Sequence, residues 1–140
     1  DYGNQYAKQA TMEEIFKEAD VISFHIPQNE ETMFMADQDF FASFKKSIYV
    51  INLARGKIVR TKALLNGLKS GEILGACLDV LEFESSSFEK TMSSEENPDF
   101  NALLKSDKVI FSPHVGGWTK ESYFKLSDVL ADKVLAFYNL

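Results

Sequence analysis

One cysteine, Cys77, occurs in 140 residues. No internal disulfide can form, and a reducing, cytoplasmic compartment is the default expectation. No stretch approaches the ~20 apolar residues of a membrane span, and the opening residues lack the charged, apolar and small-residue layout of a secretory signal. Basic residues are outnumbered: 15 Lys and Arg against 21 Asp and Glu leave a net charge of −6. That balance excludes the basic footprint of a nucleic-acid binder and sets the chain against an anionic membrane surface. The two histidines, His25 and His114, lie far apart in sequence and with one thiol make no convincing ligand set, so no metal site is expected. What is present suffices for a single core, with 45% apolar and 13% aromatic residues. A domain of this size buries roughly 70% of its unfolded surface and needs neither disulfides nor a structural metal.

Thr11 and Glu14 have the spacing of a capping box, which predicts a short helix over 12–19. The run 21–26 is β-branched and aromatic and stops at Pro27, so it reads as a buried strand. A second strand is expected over 48–53, followed by a helix that Thr61 caps, that carries Ala63, Leu64, Leu65 and Leu68, and that Gly71 ends. Residues 73–80 and 109–111 give two further strands, the latter before Pro113. Thr119 opens a last helix of four to five turns, with Tyr123, Leu126, Leu130, Val134 and Phe137 on one stripe. Phe40, Phe41 and Phe44 at helical spacing within 39–46 are expected to pack beneath a crossover. Residues 85–99, polar and acidic, read as an exposed loop within the domain. Continuous apolar strands alternating with helices predict an α/β fold with a doubly wound parallel sheet of four strands, helices covering both faces.

Ligands of open parallel sheets bind beyond the carboxyl ends of the strands. Those ends carry His25, Pro27 and Thr32; Asn52, Arg55 and Gly56; Asp79, Glu82 and Glu84; and His114 through Gly117. The planar fork of Arg55 suits a substrate carboxylate, and a carboxylate beside His114 would orient the ring as a general acid. Chemistry on a small acid bearing a carbonyl or hydroxyl fits this set. Taken singly, each residue has a plainer reading. Arg55 is then a surface ion-pair residue, His114 a loop histidine, His25 a buried, hydrogen-bonded strand residue, Asp79 and Glu82 solvated carboxylates, and Cys77 a small core residue. Trp118 is open between closing over a ligand and supporting a dimer contact.

Three segments carry more than their composition: Asn52-Leu53-Ala54-Arg55-Gly56, Leu78-Asp79-Val80 with Glu84, and Ser112-Pro113-His114-Val115-Gly116-Gly117. Together with Ala19-Asp20-Val21, His25-Ile26-Pro27 and Thr32, they resemble the D-isomer-specific 2-hydroxyacid dehydrogenases, which include D-lactate, D-glycerate and 3-phosphoglycerate dehydrogenases. The resemblance implies that Arg55 binds and polarises a 2-oxo acid, that His114 donates and accepts the proton, and that Glu84 pairs with it. Asp79 would accept from the nicotinamide carboxamide of NAD, the family's default cofactor. Backbone at Ile26, Pro27, Leu53, Ala54, Gly116 and Gly117 would pass close to that cofactor, with Thr32 on its ribose or phosphate side. Glu84 is preferred to Glu82 because the family's catalytic Glu follows its Asp by five positions. Ser85 stands where many relatives have Pro, Leu53 where Thr or Cys is common, and Ser112 where Thr is usual. No G-x-G-x-x-G occurs in the chain, so residues 1–140 are expected to be the C-terminal part of a Rossmann-like NAD-binding domain. The glycine-rich βα unit and the substrate domain would lie outside them. A homodimer acting on a small 2-hydroxy or 2-oxo acid is implied, with these 140 residues inactive alone. An NAD(H)-sensing, corepressor-like protein of the same fold is the alternative, and a half-domain that dimerises through exposed surface is a third reading.

Overall fold

A computed structural model describes residues 3–84 and 97–139. The chain runs α1 (Met12–Glu18), β1 (Val21–Phe24), α2 (Gln38–Ala42), β2 (Ile48–Asn52), a 3-10 turn (Gly56–Ile58), α3 (Thr61–Ser70), β3 (Ile73–Leu78), α4 (Pro98–Leu104), β4 (Val109–Phe111) and α5 (Lys120–Tyr138). The four strands form one parallel sheet in the order β1-β2-β3-β4.

Local chemistry sets the helix ends. The Thr11 hydroxyl accepts from the Glu14 N–H at 3.2 Å while the Glu14 carboxylate accepts from the Thr11 N–H at 2.8 Å, closing the box that opens α1. Gly71 ends α3 in the left-handed conformation, φ 85°, where a Cβ is penalised. Asp37 caps α2 through the Phe40 N–H at 3.0 Å. That helix is shorter than 39–46 and closes at Ser43, whose N–H and hydroxyl both return to the Asp39 carbonyl, the hydroxyl at 2.8 Å. Phe44, beyond its end, still packs edge-on against Phe16 and Phe40, with ring centroids 5.0 and 5.6 Å away. These rings pin α1 to α2.

Helix α4 begins inside the stretch read as a loop. Asn97 accepts from the Asp99 and Phe100 N–H groups, and Pro98 occupies the first turn, where its missing N–H costs nothing. The rest of that loop, 85–96, lies outside the described residues.

The core sits on one face of the sheet. Phe24, Val50, Ala76 and Leu78 point into it with Ile58, Leu64 and Leu103 from the helical layer; each large aliphatic side chain buried there contributes about 2 kcal/mol. The packed helices lie on this face. On the other, the described residues leave Val21, Tyr49, Leu74 and Ile110 exposed, Ile110 at 69%, and half-buried Cys77 pairs in register with Ile51 and Ile110. The apolar stripe of α5 buries no residue. Covering helices are therefore seen on one sheet face, and the second is apolar without a covering layer among the described residues. Among the described residues, no helix is long and apolar enough to cross a membrane.

The strands stop short of their apolar runs, β1 at Phe24, β2 at Asn52 and β3 at Leu78. Residues just past the ends of β1 and β2 line a cleft, and Asp79 follows the end of β3.

Candidate active site

Asn52 is the first organiser of the site. Its side chain is 1% exposed; its Oδ1 accepts from the Ala54 N–H at 3.1 Å and its Nδ2 donates to the Arg55 carbonyl at 3.0 Å. A buried amide so paired holds the 53–55 turn in one shape. Leu53 and Arg55 remain exposed, and the Arg55 guanidinium also donates from Nη1 to the Ala54 carbonyl at 2.7 Å. Residues 53–55 and 25–28 line a cleft of about 560 Å³ at the carboxyl ends of β1 and β2.

His25 is part of this wall. It is exposed rather than buried in the strand, and its Nε2 lies 2.8 Å from the Ser23 hydroxyl. β1 ends one residue earlier, so His25 no longer belongs to the sheet. Thr32 stands apart from the lining. Its hydroxyl donates to the Pro27 carbonyl at 2.6 Å and accepts from the Asn29 N–H at 2.9 Å, which fastens the 27–32 turn behind Ile26 and Pro27.

Asp79 is the second organiser. It follows β3, is 3% exposed, and takes the Ser112 hydroxyl (2.5 Å) and Val115 N–H (2.9 Å) on Oδ1 and the Gly116 N–H (2.8 Å) on Oδ2. Burial pushes its carboxyl up. The bonds from Ser112, Gly116 and Val115, with the nearby His114, outweigh that and hold it below the ordinary 3.8. Near-complete burial gives Asp79 a duty the sequence did not announce, since it clamps the 112–116 loop onto the end of β3. Gly116 lies against that clamp, where a Cβ would stand 2.9 Å from Asp79 Oδ2 and 3.2 Å from Leu53 Cδ2. The loop after β4 and the turn after β2 are thus neighbours. Gly117 faces open space.

The loop held by Asp79 presents His114 to Glu84, Nδ1 to Oε2, at 3.1 Å, with each side chain 25% exposed. A carboxylate only accepts, so the contact places a proton on Nδ1. Glu84 is steadied in turn by the Leu81 N–H on Oε1 at 2.7 Å. His114 adopts φ 56°, a left-handed backbone that is uncommon outside glycine, with strain of this kind found at functional sites. Glu82 points elsewhere and accepts the Thr61 N–H at 2.7 Å. Geometry thus separates the two glutamates, one on the histidine and one on a helix end.

The sequence-predicted residues fall into two adjoining groups: Ile26, Pro27, Leu53, Ala54 and Arg55 about the cleft, and Asp79, Glu84, His114 and Gly116 with Gly117 on the next strand ends. Asn52 and Ser112 were named only for their position. The signal for Asn52 is an amide closing an otherwise apolar strand, which a buried sheet tolerates only if both its ends are bonded. Among the described residues, no group of three or more His, Cys, Asp or Glu could hold a metal.

Residues 2–116 match the family described as D-isomer specific 2-hydroxyacid dehydrogenase, NAD binding domain. An aromatic 2-oxoacid reductase of Clostridium sporogenes is 35% identical over 127 residues, which cover 89% of this chain and 38% of that protein. A D-lactate dehydrogenase of Streptococcus pyogenes is 38% identical over 114 residues, 80% of this chain and 34% of that protein. Among solved structures, the NAD-complexed D-isomer specific 2-hydroxyacid dehydrogenase of Lactobacillus delbrueckii ssp. bulgaricus superposes with a TM-score of 0.74 at 37% identity, over 91% of this chain and 39% of that one. The chain spans well under half the length of each of these relatives. Parallel sheet, strand-end motifs and matched residues agree, and this chain belongs to the D-isomer-specific 2-hydroxyacid dehydrogenase family, in its NAD-binding domain.

Proposed function

We propose that these 140 residues are the C-terminal part of the nucleotide-binding domain of an NAD-dependent dehydrogenase that interconverts a small 2-oxo acid and its D-2-hydroxy acid. The Glu84–His114 pair beside the Arg55 cleft carries this reading. Bound NAD would supply or accept the hydride at the substrate's C2. The chain's residues fit such a group: the cleft has the volume of a ligand pocket, exposed Leu53 offers an apolar wall, and Gly117 leaves its backbone open to close approach. Ile26, Pro27, Leu53, Ala54, Gly116 and Gly117 would hold the cofactor. Thr32 shapes the turn behind them, and Asp79 acts chiefly through the loop it clamps.

Arg55 anchors the substrate carboxylate through its two-pronged guanidinium. His114, its Nδ1 committed to Glu84, uses Nε2 to give a proton to the carbonyl oxygen in reduction and to take it from the hydroxyl in oxidation. Glu84 orients the ring and offsets the charge it carries when protonated. A homodimer in the cytoplasm accompanies this assignment.

The test uses the natural polypeptide that contains this sequence, assayed for NADH oxidation with a series of 2-oxo acids. Arg55→Lys keeps the charge and loses the fork, so KM is expected to rise about ten- to a hundredfold with a smaller change in kcat. Unchanged KM for every 2-oxo acid turned over would remove Arg55 from the role. Binding of NADH without turnover of any 2-oxo acid would favour the sensing protein instead.

A further inference from the structure

We propose that Glu82, which touches neither His114 nor the cleft, is a positioning residue that holds Arg55 and the Glu84–His114 pair in register; the inference rests on the roles assigned above to those three residues. Two loops must agree for the site to work. One carries Arg55 after β2, the other carries Glu84 after β3, and they meet at a single seam.

On one side of the seam, Arg55 precedes the 3-10 turn and α3. The N-cap residue of α3, Arg60, makes no side-chain capping bond, and the Thr61 N–H is met instead by Glu82, from 21 positions further along, at 2.7 Å. An anion there also suits the positive end of the helix. On the other side, residues 81–84 form a tight turn in which the Glu84 N–H donates to the Leu81 carbonyl at 3.1 Å and the Leu81 N–H donates to Glu84 Oε1 at 2.7 Å. Between the sides, Gly56 lies flat against this turn. A Cβ on it would stand 1.8 Å from the Leu81 carbonyl oxygen and 2.7 Å from the Glu82 nitrogen.

The seam is therefore backbone on backbone at Gly56 and clamped by the Glu82 carboxylate. Glu84 hangs from the same turn, so a shift there reaches the His114 ring directly, while Arg55 is next to Gly56 and is tied by Asn52 through its carbonyl. Loss of the Glu82 bond lets the 81–84 turn move relative to α3. Arg55 and His114 would then no longer be held at one fixed spacing, and misplacement of this order costs rate.

The experiment compares Glu82→Ala, Glu82→Gln and Glu82→Asp in the natural polypeptide. Gln keeps an acceptor at the right reach, and Asp keeps the charge but is too short. With NADH and a 2-oxo acid, Ala and Asp are expected to lower kcat about ten- to a hundredfold with NADH affinity retained, and Gln to stay within about threefold of wild type. A second readout needs no turnover: the Nδ1–H proton resonance of His114 in ¹⁵N-histidine-labelled protein, assigned by its loss in His114→Asn. It should broaden or move in the Ala and Asp variants and stay in place in Gln.

A kcat unchanged in Ala, losses equal in Ala and Gln, or a resonance unmoved in Ala and Asp would overturn the proposal. If Ala does not fold, Asp against Gln decides by the same criteria. If wild type turns over no 2-oxo acid, the functional assignment fails, and the resonance alone still decides whether Glu82 positions the pair.

Discussion

Replacing His114 with Asn is expected to lower kcat/KM for 2-oxo acid reduction by about 10²–10⁴, the range for loss of a general acid, while the fold stays intact. Asn is the apt replacement for a backbone reason. His114 sits at φ 56°, a region Asn tolerates and Ala does not, so Asn removes the proton without adding strain. The amide also remains within the family of groups that can bond to Glu84. Rate loss with an unchanged melting temperature would assign the effect to chemistry. Less than a tenfold loss would end the case for His114 as the proton donor. Glu84→Gln should fall between wild type and this variant, because the ring then keeps a partner but not one that offsets its positive charge.

The second large effect is on stability. Asp79→Ala strips a buried acceptor from the Ser112 hydroxyl and the Val115 and Gly116 N–H groups, and should cost about 3–5 kcal/mol, since each abandoned buried donor is worth about 1–3 kcal/mol and water recovers part of it. Asp79→Asn should cost somewhat less: one oxygen survives, but an amide NH₂ turned toward an N–H donor gains nothing. The pH dependence has a definite sign. The folded carboxyl is held below its ordinary value, so the stability it contributes is complete above that value, near 3.8, and is lost as pH falls through the lower folded value. Urea unfolding at pH 7 and at pH 3 should therefore show the gap between wild type and Asp79→Asn narrowing in acid. A gap that widens in acid would contradict the clamp.

Elements whose cause is local were legible in the sequence. The Thr11–Glu14 box, the Gly71 stop and the apolar runs of β1 to β4 each depend on neighbours in the chain, and the strand ends placed Arg55, Asp79, Glu82, Glu84 and His114 along one sheet edge, with the choice of Glu84 over Glu82 coming from the family resemblance. What was hidden depends on distant partners. The Asn52 and Asp79 side chains hold loop backbone at 54–55 and 112–116, and neither set of bonds has a periodicity to read. His25 looked buried because it follows three apolar residues of a four-residue strand; the strand simply ends before it. The Thr32 hydroxyl serves its own turn, and Glu82 serves a helix that starts 21 positions earlier. Helix α4 has its own sequence signal in Asn97-Pro98, a capping amide followed by proline, set within the polar, acidic composition of 85–99. Covering of the sheet's second face and of α5 is not a property of single residues, and the chain's apolar pattern records only that both surfaces suit burial.

The bonds that build the Asp79 clamp and the Glu84–His114 pair join residues 30 to 37 positions apart. Their cost in chain entropy is that of closing one loop, and it grows only with the logarithm of length, so doubling the intervening segment adds about 0.6 kcal/mol. What fixes the spacing of these groups is therefore the β3–β4 pairing, which sets Leu78 beside Phe111, and not the length of chain that joins the two strands.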